Sequence, residues 1–376
     1  MKKYTTDQSV KFFISVIGLF AIFFVLKELQ HIFIPLVIAY FLFFFFEPLN
    51  TYLEKQKIPL SVLIFIDILL TVSILYGLSR VIIESVFRFS EQLPLYEQKL
   101  NKIISETARS LEIRDYTLTH FNLSKLLKNI DYSVLAGGVF ESTLSIAASV
   151  MLVLFFFIFI SSGHEKTLQA IRARFVEKEI KSSLKKFKRE HKDDMDLKTF
   201  EENYQSMTIQ REETLQKTFR HITEQVQKYI ITKFLISLSV GIVMGFTLWL
   251  FDVDFFIIWA SFAVILNFIP NIGSVISVIM PTLIALVQYE SFGYAFIVAA
   301  VLIVTQNIIG NIIEPKIFGD RLGLNPLVIL LSLLLWGYLW GIVGMFLAVP
   351  LTAVLKIIIS NSENKNMKFI TNLMSN

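Results

Sequence analysis

Hydrophobic positions in this chain gather into long unbroken blocks, with little of the alternation that marks strands. Apolar runs cover about 11–28, 32–46, 60–82 and 143–162, then about 230–251, 255–288, 292–314 and 326–359. A block near twenty residues crosses about 30 Å of hydrocarbon as a helix. The pattern therefore predicts an all-α integral membrane protein with about eight hydrophobic segments. No small-residue cleavage site follows the first block and a second block comes almost at once, so it reads as an anchor. Two polar stretches interrupt the series. Residues 84–141 mix acids and bases and include the amphipathic LYEQKLNKIISETARSL. Residues 163–229 are strongly basic, with IRARFVEKEIKSSLKKFKREHK early on and a helix-like run from about Arg211 to Lys228 leading into the fifth segment.

Lys and Arg near span ends favour the cytoplasm. Lys2, Lys3 and Lys11 place the N-terminus inside, three crossings put 84–141 outside, and a fourth returns the basic stretch inside. The expected organisation is 1–83 with three spans, 84–141 as an extracytoplasmic amphipathic region and 142–162 as span four. A basic cytoplasmic region (163–229), a C-terminal transport core (230–359) and a cytoplasmic tail (360–376) follow.

Two segments are too long for one ordinary span, and both are interrupted. NFIPNIGSV lies inside 255–288: Pro270 removes a helix hydrogen bond and disfavours helix at Ile269, while Gly273 tolerates unusual dihedrals. WGYLWGIVGMFLAVP interrupts 326–359 with Gly337, Gly341, Gly344 and Pro350. Each is either one long tilted span or a pair of half-helices that enters and returns. The re-entrant form puts Asp252, Asp254 and Glu290 outside and Lys316, Arg321, Lys356, Lys365 and Lys368 inside, which suits the charge rule better. Two interrupted segments flanking an intact one point to a transporter site. Breaking a helix in lipid frees backbone groups that protein, water or solute must satisfy.

The polar residues inside these blocks are the candidates for chemistry. In TQNIIGNIIEPKIFGDRLGLNP, which opens at Thr305, Gln306 begins a polar set with Asn307, Asn311 and Glu314. The last three are spaced four and three, so on an α-helix they share a face that should meet protein or a water-filled cavity. Gly310 near that face would admit a neighbouring backbone. Plainer accounts are interhelical hydrogen bonds for the amides and an interfacial carboxylate beside Lys316 for Glu314. Asn267, Asn271 and Ser274 flank the Pro270 break and both donate and accept. They suit a neutral polyhydroxylated solute, a sodium ion held with freed carbonyls, or local repair of the broken backbone. Asp67 is a lone charge in LSVLIFIDILLTVSIL, where a carboxyl is either a proton carrier or a hydrogen-bonded structural group.

Composition narrows the classes. The chain is 54% apolar and only 18% charged, against about 25% charged in soluble domains. A net charge of +4 implies no nucleic-acid partner, and zero cysteines exclude disulfides and thiolate metal sites. The five histidines are scattered without ligand spacing, and HExxH, GxSxG and GxxxxGK[ST] do not occur. No catalytic residue, metal site or cofactor is expected, and the chain does not read as an enzyme.

Three blocks, NFIPNIGSVISVIMPTLIAL, NIIEPKIFGDRLGLNPLVILL and GIVGMFLAVPLTAVLK, resemble in order and spacing the signature blocks of the autoinducer-2 exporter (AI-2E) family of bacterial permeases. HITEQVQKYIITKFLISLSVG, leading into the fifth segment, fits as well. The resemblance covers nearly the whole chain, most specifically about 220–356. It implies a multi-pass inner-membrane permease and an oligomeric assembly. Members are linked to export of autoinducer-2, a small neutral furanone-type polyol, and some to sodium/proton antiport. Its motif positions here are Pro270, Asn271, Gly273, Pro281, Asn311, Glu314, Pro315, Gly319, Gly323, Leu324, Pro326, Gly341, Gly344 and Pro350. Most read as architecture; Pro270, Gly273, Pro281, Pro315, Gly323, Pro326, Gly341, Gly344 and Pro350 serve as hinges or helix breaks. The charged stretch at about 178–215 looks expanded relative to the family.

The expectation is thus a gradient-driven secondary transporter exporting a small polar solute such as autoinducer-2. Asn267, Asn271, Ser274, Gln306, Asn307 and Asn311 would contact the solute, and Asp67 and Glu314 would couple to H+ or Na+. Its surroundings would be the lipid bilayer and further copies of itself. The alternatives are a sodium/proton antiporter and, from another class, a non-transporting scaffold or receptor using the basic region.

Overall fold

A computed structural model describes residues 8–112, 145–164, five scattered residues from there to 174, and 197–318, 324–360 and 365–374. The rest of 84–141 and of the basic region, with Gly319 and Gly323, lies outside the described residues. Among the described residues the regular structure is helical, with seven helices long and apolar enough to cross a membrane. Phe20 is 71% exposed and Met151 73%. Surface of that kind is stable against lipid tails and not against water. The protein is an all-α integral membrane protein.

Helix α1 (Gln8–Glu28) leads into α2 (Gln30–Glu54) through Leu29 alone, and helical hydrogen bonds run into and out of Leu29 (to Val25 O at 3.0 Å, from Phe33 at 3.0 Å). The first two predicted segments are therefore joined by a bend, without the loop of two to five residues that usually reverses an αα-hairpin. Helix α3 (Leu60–Ser110) is 51 residues, about 77 Å at 1.5 Å per residue. Its apolar start crosses the bilayer, and the amphipathic stretch beginning at residue 84 continues the same helix through Pro94. Helix α4 (Ser145–His164) packs on α2 through Phe157 and Phe46. Helix α5 (Leu197–Leu250) likewise carries a polar extension directly into an apolar span.

After α5 come α6 (Phe256–Leu266) and α7 (Ile272–Tyr289), the halves of the first interrupted segment. The break falls at Asn267–Asn271, around Pro270. Asn271 has φ 62°, and a Cβ on Gly273 would lie 1.8 Å from Leu266 O, so only glycine fits this tip. At the other end Gln288 takes the Asp254 amide (2.9 Å) and donates to Asp252 O (2.8 Å). A straight helix would hold residues 254 and 288 about 50 Å apart. Here they touch, so this segment leaves and returns at one level.

Helix α8 (Phe292–Asn307), a π-helical turn (Ile308–Ile313) and the short α9 (Glu314–Phe318) form the intact rod between the two broken segments. Helix α10 (Pro326–Ser360) is broken at Trp340 and Gly341 (φ 62°, ψ −141°), a conformation open essentially to glycine. Beyond the break the chain folds back: Trp336 Nε1 donates to Thr352 Oγ1 at 3.3 Å, and a Gly344 Cβ would sit 1.9 Å from Trp336 O. Helix α11 (Lys365–Met374) returns to the base, where Asn325 N meets Met374 O at 3.0 Å.

The two hairpins enter from opposite ends of the apolar part of α5. The first has its base beside Asp252. The second has Leu324, Val349 and Ala353 packed on Tyr229, and Tyr229 lies about 35 Å from Asp252 along α5. Their inner parts meet midway, with Phe268 stacked on Phe346 (4.5 Å) and Ile269 in one cluster with Trp340 and Leu347. Gly241 and Gly245, in the GxxxG run GIVMG, bring α6 onto α5: a Cβ on Gly241 would lie 2.2 Å from Val264 Cγ2.

Candidate functional site

The inward face of α5 carries Lys233, Ser237, Met244 and Thr247 at helical spacing, all buried. Lipid would penalise Lys233, Ser237 and Thr247, so each needs a partner in protein. Near the tip of the first hairpin, Asn267 Nδ2 donates to Ser237 Oγ (3.0 Å). About 10 Å further along α5, Gln306 Nε2 bridges Ser277 Oγ (2.8 Å) and Met244 Sδ (3.1 Å). At the near end Lys233 Nζ meets Glu314 Oε1 at 2.6 Å. At the far end Tyr294 donates to Phe251 O (2.7 Å) and Tyr289 to Asp252 O (2.9 Å). The result is a polar seam along α5, walled by the first hairpin, α8 and α9.

The sequence candidates divide along this seam. Asn267 and Gln306 lie on it. Asn271 is exposed at the hairpin tip, and Ser274 is half-buried one turn on, its carbonyl accepting from Ser277 Oγ (3.0 Å). Asn307 and Asn311 bond each other (2.8 Å) and are exposed. Glu314 instead turns inward to Lys233. The shared face expected for these three is lost because a π turn bonds i to i+5, which carries the next residues around the axis. Glu314 pairs with Lys233 and not with Lys316, which is exposed. No atom lies within 4 Å of where a Gly310 Cβ would be, so no backbone in this chain uses the space expected there. Pro281 and Pro350 are buried in their helices, and Pro315 and Pro326 stand in first turns. Asp67 is elsewhere, buried between α2 and α3 and bonded by Asn50 Nδ2 at 2.7 Å.

The projecting part of α3 clamps the base of the first hairpin. Tyr96 donates to Asp254 (2.6 Å), Lys99 to Gln288 O (2.6 Å), and Lys102 pairs with Glu290 (2.7 Å). Burial, and then the Asp254 carboxylate, push the Tyr96 phenol above its ordinary range. The hydrogen bond from Lys102 holds Glu290 below the usual carboxylate range. Asp252, Phe255 and Glu290 all have positive φ here, and the Phe255 ring is packed between Phe89 (5.6 Å) and Tyr96 (6.1 Å). Beside this clamp lies a cavity of about 240 Å³ lined by Glu84, Arg88, Gln92 and Asp254 among others. Among the described residues no three His, Cys, Asp or Glu are grouped to hold a metal.

Sequence reasoning missed Lys233, Ser237, Ser277, Tyr96 and Asn50. A lysine inside the apolar run ITKFLISLSVG was a legible sign. The serines gave none.

The family profile described as AI-2E family transporter matches residues 12–364. The chain belongs to the AI-2E transporter family. It is a multi-pass membrane permease, at home in the lipid bilayer and handling a small solute. Similar proteins include a candidate transport protein of Haemophilus influenzae, 27% identical over 359 residues and 93% of both chains. One from Borreliella burgdorferi is 29% identical over 336 residues, 89% of this chain and 83% of the relative. The AI-2 transport protein TqsA of Escherichia coli is 44% identical over 134 residues, 36% of this chain and 39% of its own.

Proposed function

We propose that this AI-2E permease exports a small polar solute of the autoinducer-2 kind across the bacterial inner membrane, driven by an ion gradient. The observation that carries this reading is the meeting of the two hairpin tips beside the Ser237–Asn267 and Gln306–Ser277 pairs. These amide and hydroxyl groups are neutral, and each both donates and accepts, which matches an uncharged polyol. Asn271 and Ser274 extend that set at the tip, and the similarity to the AI-2 transport protein TqsA supports the solute. Asn307 and Asn311 face outward and become interior only between copies, so we assign them to a homo-oligomeric contact along the same path.

The basic region leading into α5 assigns the Lys233–Glu314 end to the cytoplasm and the α3 clamp to the outside. With both ends closed, the arrangement fits an occluded state. Opening Lys233–Glu314 would admit solute, and opening the clamp would release it. Asp67 and Glu314 are the groups that would couple to H+ or Na+. Uptake of labelled autoinducer-2 into inside-out vesicles, with and without a proton gradient, tests this. Native uptake that collapses with the gradient, and is weakened by Asn267→Ala or Gln306→Ala in folded protein, supports the reading. Absence of uptake by folded, oriented protein rejects the solute. Sodium/proton antiport is then the reading to take up, favoured by the wholly buried Asp67.

A further inference from the structure

Buried oxygens without a hydrogen-bond donor are rare, and three occur on the neighbouring helices α2 and α3. They are Glu47 Oε2, Asn50 Oδ1 and Asp67 Oδ1, none with a partner among the described residues. Asp67 has no exposed surface. Its carboxyl has one recorded donor, Asn50 Nδ2 at 2.7 Å to Oδ2. The nearby Thr71 hydroxyl is spent on the Asp67 backbone carbonyl (2.7 Å). Phe43, Phe46, Ile64 and Ile68 belong to the apolar cluster packed around these turns.

Charges on every neighbouring element leave Asp67 uncompensated. Helix α2 offers Glu47 and Glu54 and contains no Lys or Arg, α3 has none before Arg80, and Lys55 and Lys57 of the turn between them are exposed. His164 of α4 stacks on Phe43 (4.5 Å). Lys233 of α5, which reaches α2 through the Phe234–Phe45 contact, is paired with Glu314. An ionised carboxylate in such a place is strongly disfavoured.

We propose that Asp67 and Asn50 form a proton-binding site. A proton on Asp67 Oδ1 donates to Asn50 Oδ1, closing the eight-membered acid–amide ring whose other side is the existing 2.7 Å bond. The two orphan oxygens are the two ends of that missing bond, so a single proton satisfies both and removes the charge. Release breaks only the O–H bond and leaves the carboxylate on the Asn50 N–H. Glu47 stands three residues before Asn50 on the same helical face, with its own buried oxygen free to accept. The site's use in coupling rests on the gradient-driven reading above, but its existence does not.

The test is reaction of the full-length protein in vesicles with dicyclohexylcarbodiimide, which attacks protonated carboxyls in apolar surroundings. Adducts are located by mass spectrometry. An adduct on Asp67 at neutral pH is expected, formed at a different rate in Asn50→Leu. No adduct on Asp67 at neutral or mildly acid pH, while other membrane carboxyls react, overturns the site. Asp67→Asn preserves the paired ring as an amide dimer and should keep the native melting temperature, whereas Asp67→Leu should lower it. Equal losses in both variants would also count against the proton. Where Asp67 is labelled but transport by Asp67→Asn still follows the proton gradient, the site stands and the coupling assigned to it fails.

Discussion

Removing either partner of the Lys233–Glu314 pair should give unequal penalties, because the two side chains differ in access to water. That of Lys233 is 6% exposed and that of Glu314 is 23%. Glu314→Met strands an ammonium that cannot reach water by straightening, since Tyr229, one turn nearer that end of the span, is itself buried. The loss should approach the penalty of breaking a buried pair, about 3–5 kcal/mol. Lys233→Met strands a carboxylate that reaches water with a small rotation, so only the charged hydrogen bond is lost, about 1.5–3 kcal/mol. The double variant leaves no charge and places two thioethers in an apolar seam. It should be more stable than Glu314→Met, with a coupling of about 2–3 kcal/mol in the cycle. Reversible unfolding of purified protein in detergent, followed by tryptophan fluorescence, measures all four corners. A Lys233→Met penalty equal to or larger than that of Glu314→Met, or additive losses in the double variant, refutes the burial argument.

The remaining expectations concern the hairpin and its clamp. Gly273→Ala should unfold the first hairpin tip, because its Cβ meets Leu266 backbone at 1.8 Å. Gly310→Ala, with nothing within 4 Å, should be neutral or stabilising by up to about 1 kcal/mol; melting temperatures separate the two. Tyr96→Phe should cost about 1.5–3 kcal/mol through the lost bond to Asp254, seen in the same unfolding assay. Since Lys102 depresses Glu290 below its ordinary 4.5, the pair's contribution is present above that value and fades as pH falls through the lowered one. Lys102 is raised in turn above 10.5, so the alkaline loss comes only beyond that value. The melting difference between native protein and Glu290→Gln should therefore vanish in acid and shrink in high salt. Single cysteines replacing Glu290 and Lys316, in a chain with none of its own, should label from the outside and the inside respectively. Labelling of both from one side contradicts the opposed hairpins.

Features that depend on the chain's own local chemistry were legible in the sequence. Block lengths gave the spans, and Pro270 with Gly273 and Gly341 with Gly344 gave the breaks: Pro270 removes a hydrogen bond, Gly341 takes a φ of 62°, and Gly273 and Gly344 leave room for a backbone carbonyl. Glu314 and Asp67 stood out because a carboxyl in an apolar run always needs a reason. Their partners did not stand out. Lys233 is 81 positions from Glu314 and Asn50 is 17 from Asp67, and a helix that is apolar on all sides does not reveal which way it is rotated. The π turn at Ile308–Ile313 has no sequence mark either, yet it separates Glu314 from Asn307 and Asn311 and so decides which polar groups face the seam. In water the polar face of a helix announces its orientation. In lipid, orientation is set by the few polar groups that must find one another, and those pairings are the content of the proposed solute path and proton site.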